Sequence, residues 1–187
     1  MPGNDWLSDR ETWLSALTWL GLLLAAAGCY RRRYRVAAAG VVCLAAGWGV
    51  PPEMRKAAFV ETRLDELRPT FQFQEWHYRH MRAPQHVVWR KMRSHWLIGS
   101  ALRAGFRIAE EAEGCELVLA KQVFPPAEAY MNILLEPTNR GTTVVSTETR
   151  VYAESAWAAH RFAVYWRVIY PGSAALRMAL LWAMEAK

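Results

Sequence analysis

The residues able to do chemistry fall into three groups. Glu148 and Arg150 lie two apart in "STETRVYA" (146–153), a β-branched stretch, so they share one strand face; Val145, Thr147, Thr149 and Val151 take the other. On a solvated face they form an ordinary ion pair. On a cavity wall, burial requires that the two charges pair or that Arg150 meets a ligand anion. His77 is the second candidate, with Glu75 two residues before it on the same side of an alternating run. An imidazole beside a carboxylate is an acid–base pair in outline, and equally a satisfied core histidine. Third, Ala158, Phe162, Tyr165 and Ile169 recur at helical spacing with Trp166 beside them. That stripe is either packing against a sheet or the wall of an apolar pocket.

Other chemistry is excluded or unsupported. His77 and His80 fall on opposite strand faces, and His86 and His95 are nine apart, so no metal-ligand spacing exists. Cys29, Cys43 and Cys115 form no CxxC or Cys/His pattern. No GxSxG, phosphate-binding loop, GxGxxG or HExxH motif occurs. The sequence implies no metal and no cofactor.

These residues need positioning elements, and the periodicity supplies them. "TFQFQEWHYRHMR" alternates as a strand, with Phe71, Phe73, Glu75, His77, Arg79 and Met81 on one side. Pro84 opens a helix, and "LIGSALRAG" continues as a second short one. Strands are predicted over 105–111, 115–124, 128–136 and 142–153, the last two joined by a hairpin at "PTNRGT". A helix is predicted from Ala156 to Tyr170, to stop or kink at Pro171, with Ser173 capping a second segment. The order is α+β, an antiparallel curved sheet against a long C-terminal helix.

The first fifty residues differ in kind. No charged side chain occurs over 12–30, about 28 Å of helix, or over 36–52. "RRRYR" (31–35) joins the two runs as a tight basic turn. Trp13, Tyr30, Tyr34 and Trp48 bracket the runs as interfacial aromatics do. Gly21 and Ala25, and Ala39, Cys43 and Gly47, place small residues on one face of each run, offering close helix contact or self-association in lipid. The acidic N-terminus and the second apolar run argue against a signal peptide. The reading is a two-helix transmembrane hairpin over 1–50. A juxtamembrane amphipathic connector follows over 51–69, with Ala57, Val60, Leu64 and Leu67 on one helical face, and an α+β domain occupies 70–187. The density of arginine in the turn places it in the cytoplasm and exports the C-terminal domain.

Composition agrees with this. Of 187 residues, 53% are hydrophobic and 21% charged, with a net charge of +6. That charge suits an anionic membrane surface. No RRM, zinc or helix-turn-helix pattern supports nucleic acid.

The stretch 146–186, above all "TETRV" and "FAVYWRVIYPGS", resembles the C-terminal part of uncharacterised bacterial proteins of the START-like, or SRPBCC, superfamily. "WHYRHMRAPQHVVWRKM" resembles that superfamily's first strand and following helix. The resemblance implies a helix-grip fold, here with about five strands where seven are usual, and a cavity between sheet and C-terminal helix for an apolar or lipid-like ligand. It also implies a bacterial inner-membrane setting for the anchored domain. The residues expected to line the site are His77, Glu148, Arg150, Phe162, Tyr165 and Trp166. The function expected first is ligand binding without catalysis. The alternatives are a membrane-tethered interaction scaffold lacking a true cavity, and an enzyme using His77 with Glu75 or Glu148.

Overall fold

Two apolar helices close on each other because glycine lets their backbones touch. In the computed structural model, which describes residues 10–124 and 126–185, α1 spans Arg10–Tyr30 and α2 spans Tyr34–Gly49. A Cβ on Gly28 would meet the backbone of Ala37, and one on Gly40 the backbone of Ala25. Gly21, Gly28, Gly40 and Gly47 are therefore used inside one chain, while Ala39 on the small-residue face of α2 stays exposed. The turn is a Schellman motif: Arg32 takes a left-handed φ of 51°, and the amides of Arg32 and Arg33 donate to the carbonyls of Cys29 and Gly28 at 3.2 and 2.7 Å. Residues 1–9 of the expected hairpin lie outside the described residues.

The connector is mostly extended. β1 (Arg55–Lys56) pairs with β2 (Thr70–Phe71), and only α3 (Arg63–Leu67) is helical. Thr62 and Asp65 form a reciprocal capping box that starts this helix, so the amphipathic pattern across 57–67 is realised only at its end. Leu64 is buried with Val118, Ala120 and Tyr130. Phe59 and Val60 are exposed.

The sheet holds five antiparallel strands: β3 (Phe73–Met81), β4 (Arg107–Ala112), β5 (Glu116–Phe124), β6 (Ala127–Pro137) and β7 (Thr143–Ala153), in the order β3-β7-β6-β5-β4. Helices α4 (Gln85–Ser94) and α5 (Trp96–Arg103) follow β3, and α6 (Ala156–Glu185) packs across one face. The fold is α+β, as the pattern of elements predicts, with the sheet-and-helix arrangement of a helix grip that the resemblance implies.

Register sorts the residues by face. Phe73 opposes Val151, Glu75 opposes Thr149 and His77 opposes Thr147, all on the side facing α6. Two apolar clusters fill that side. Phe73, Val151, Phe162 and Trp166 belong to one, and Met81, Leu117, Ile133, Val145 and Leu181 to the other.

Pro171 lies inside α6 and does not end it. Proline removes the amide that would bond the carbonyl of Arg167, four residues back. Ser15 Oγ on α1 takes its place, donating to that carbonyl at 2.7 Å, and Trp19 Nε1 donates to the carbonyl of Val168 at 3.1 Å. The helix survives its proline because α1 satisfies the carbonyls beside it.

The Arg167 side chain completes the joint. It is 0% exposed. Nε and Nη2 donate to the two carboxylate oxygens of Glu11 at 3.1 and 3.3 Å, while Nη1 and Nη2 donate to the carbonyls of Gly47 and Val50 at 2.7 and 3.0 Å. One guanidinium thus links α1, the end of α2 and α6. Arg167→Met removes the buried guanidinium that ties Glu11 to the carbonyls of Gly47 and Val50, an expected loss of about 3–5 kcal/mol. Hydrogen exchange would read it as faster exchange in α1 and around Pro171, with β5 and β6 protected as before.

Candidate functional site

The outer face of the sheet carries Glu148 and Arg150, and it is covered by the connector. Arg150 is buried, with all three guanidinium nitrogens engaged. Nε donates to Glu148 at 2.6 Å, Nη2 pairs with Asp65 at 2.7 Å, and Nη1 donates to the carbonyl of Arg68 at 3.1 Å. The guanidinium also lies over the Phe71 ring at 4.7 Å. Burial alone would lower the Arg150 pKa, but Glu148 and Asp65 outweigh it and raise it. Burial would raise Asp65, yet Arg150, the Glu61 amide and Thr62 hold it below its ordinary value. A second polar chain runs beside this one. Asn132 donates to Glu116 at 2.7 Å and accepts from the amide of Glu148 at 2.9 Å, while Glu116 accepts from the amide of Arg63 at 2.8 Å at the start of α3. These charges clamp the connector to the sheet.

The space expected to be a cavity is filled with rings. Phe162 stacks edge-on to Phe73 at 5.0 Å, and Trp166 lies 5.9 Å from both. Phe162 and Trp166 are buried, and the Trp166 indole N–H has no hydrogen-bond partner among the described residues. Tyr165 points the other way, 45% exposed, its ring 5.5 Å from Phe162. Of the six residues expected to form one site, the structure joins Phe162 to Trp166 in the core and Glu148 to Arg150 in the clamp. His77 stands apart from both pairs.

His77 belongs to a polar network between the two apolar clusters. Its Nε2 lies 2.9 Å from Glu75 Oε1. Glu75 Oε2 accepts from Ser173 Oγ at 2.7 Å and lies 3.4 Å from Arg177 Nε. Arg177 donates to Thr147 at 3.4 Å and also to Thr149. Burial would raise the Glu75 pKa, but Arg177, His77 and Ser173 together hold it below the ordinary 4.5, so it is a carboxylate at neutral pH. Burial lowers the Arg177 pKa from its ordinary value, against the opposing charge of Glu75. A carboxylate acceptor requires Nε2 of His77 to carry its proton. That hydrogen bond orients the imidazole ring.

His77 also lines a cleft of about 370 Å³ between α1, α6 and the outer strand β3. Thr12, Ser15, Ala16 and Trp19 form its α1 wall, and Tyr170, Pro171 and Ala174 its α6 wall. Among the described residues, no Asp, Glu, Lys or Arg side chain lines it. Among the described residues no cluster of metal-ligating side chains occurs.

Periodicity did not point to Ser173, Arg177 or the α1 wall. Arg177 had one signal, as the sole charged residue between 168 and 184. A lone arginine in such a run has to find an internal partner, and Ser173 precedes it by one helical turn.

No family model matches the sequence, and no curated protein matches it. Solved structures with some likeness include the Zhui aromatase/cyclase from Streptomyces sp. R1128, at 16% identity and a TM-score of 0.32, covering 60% of this chain and 93% of that one. The di-domain aromatase/cyclase BexL of the BE-7585A biosynthetic pathway is 14% identical at a TM-score of 0.38, covering 60% of this chain and 45% of its own. Protein CV1439 from Chromobacterium violaceum is 12% identical at 0.32, covering 49% and 94%.

The depressed Glu75 and Asp65 values mean that the folded state binds fewer protons than the unfolded chain. The stability they add is complete above their ordinary values of 4.5 and 3.8 and is lost as pH falls through the lower folded values. Glu75→Gln strands Arg177 and should cost about 3–5 kcal/mol at pH 7. Denaturant titrations at pH 7 and pH 3.5 should show a smaller acid-induced loss in this variant than in the wild type.

Proposed function

We propose that this protein is a membrane-anchored helix-grip domain that binds an apolar or lipid-like ligand, and that the ligand occupies the cleft between α1, α6 and β3. The observation that carries this reading is the cleft of about 370 Å³, lined by no Asp, Glu, Lys or Arg side chain and of a size within the usual range for small-molecule sites. The place differs from the one the sequence suggested, because Phe73, Phe162 and Trp166 fill the space between sheet and helix. No reaction is assigned to the His77–Glu75 dyad.

Membrane anchoring rests on α1, which by length and composition suffices to cross a bilayer; α2, at 16 residues, is shorter. Leu20, Leu23, Val41 and Val42 are exposed on the hairpin, a costly surface in water. The exposed face of α6 continues it, with Tyr165, Leu176 and Trp182 and no charge between Arg161 and Glu185 on that face. The basic turn at Arg31–Arg33 would sit in the cytoplasm of a bacterial inner membrane, leaving the domain outside.

The filled interior favours a second reading, an interaction scaffold with no ligand. Native mass spectrometry of the full chain from detergent separates the two. A retained apolar molecule, lost on Ala174→Trp, is expected; wild-type protein carrying none would favour the scaffold. For orientation, Ser155→Cys in a background lacking Cys29, Cys43 and Cys115 should react with an impermeant maleimide from the outside of spheroplasts. Labelling only after lysis would reverse the topology.

A further inference from the structure

The surface of the cleft is apolar because its polar side chains turn to partners inside the chain. Thr12 Oγ1 donates to the Tyr170 hydroxyl at 3.2 Å, Ser15 Oγ to the Arg167 carbonyl and Trp19 Nε1 to the Val168 carbonyl. His77 Nε2 lies 2.9 Å from Glu75. A polar head enclosed here would lose its water and gain no partner, so the enclosed length of an occupant is hydrocarbon. At roughly 30 Å³ per water-sized group, about 370 Å³ accommodates about a dozen methylenes.

The cleft also has a fixed depth along the hairpin. α1 carries no charged side chain from Thr12 to Tyr30. Its cleft-lining residues run from Thr12 to Trp19. That is about 10 Å at roughly 1.5 Å per residue, against about 15 Å for half of a bilayer's hydrocarbon core. With α1 across a membrane, the cleft therefore lies within one leaflet, beside its acyl chains. The bonds from Ser15 and Trp19 hold α6 at the same level. There α6 exposes Pro171, Gly172, Ala175 and Leu176, while Arg167 and Arg177 are buried. Trp19, on the α1 wall, is 41% exposed. The cleft thus reaches the surface between two apolar helix faces.

Resting on the membrane-anchored cleft reading above, we infer that the occupant is one acyl chain of a bilayer phospholipid. The chain enters sideways from the leaflet and lies along Ala16, Trp19, Pro171 and Ala174, while the headgroup stays at the membrane surface. The cleft then selects by hydrocarbon and not by head.

The test uses the full chain in nanodiscs of phosphatidylcholine and phosphatidylglycerol, doped with a phosphatidylcholine that carries a diazirine midway along one chain. After photolysis, adducts are mapped by proteolysis and mass spectrometry. Val41 and Val42, exposed on α2, report ordinary lipid contact. Wild type should give adducts on the cleft residues as well as on these two, and native mass spectrometry should show a retained phospholipid of either headgroup. In Ala174→Trp the cleft adducts should fall by about tenfold relative to those on α2, the effect of roughly two methylenes losing their apolar contact. Adducts on α2 with none in the cleft of wild type overturn the inference even if Ala174→Trp fails to fold, as does an unchanged cleft-to-α2 ratio in folded Ala174→Trp. A retained ligand lacking a glycerophosphate head also overturns it, and leaves the cleft reading standing. Wild type with neither cleft adducts nor a retained molecule overturns the cleft reading itself.

Discussion

A single buried guanidinium holds the two halves of this chain together. Arg167 is the point where α1, the end of α2 and α6 meet, and it satisfies Glu11 and two backbone carbonyls at once. A charge this deeply enclosed is tolerated only where every donor finds a partner. The position of the hairpin against the domain follows from that requirement, and so does the cleft, whose walls are the faces of α1 and α6 that Arg167 brings together.

Pro171 contributes from the same turn of helix. By withholding its amide it makes the Arg167 carbonyl an acceptor for Ser15, so side chain and main chain of one residue both reach the hairpin. The proline that reads as a helix end in the sequence is a docking device in the fold. Its physical cost, a lost helical bond, is offset by the bonds from Ser15 and Trp19.

The sheet, its approximate strand boundaries and the gripping helix were legible because they rest on periodicity. Residues 73–81 and 143–153 are strand-forming runs whose side chains divide between two faces, and the turn at 138–142 carries its own chemistry. The site was legible only in part. His77 and Glu75 were found because strand geometry relates residues two apart. Arg167 carries no signal in the sequence, because its partner Glu11 lies 156 residues away and no local pattern records so distant a pairing. Arg150 read as a candidate anion binder for a similar reason: Asp65 and the Arg68 carbonyl reach it from a connector whose path no periodicity specifies. Phe162 and Trp166 were recognisable as an apolar stripe, but whether such a stripe faces a cavity or a second set of rings depends on Phe73 across the sheet.

The central claim is that the hairpin and the domain form one unit whose joint holds a ligand. A crystal structure of the full chain grown from a lipidic phase tests it most directly. The account predicts Glu11 on Arg167 and elongated density between Trp19, His77 and Pro171. A hairpin swung away from α6, with ligand density instead between Phe73 and Phe162, would contradict it.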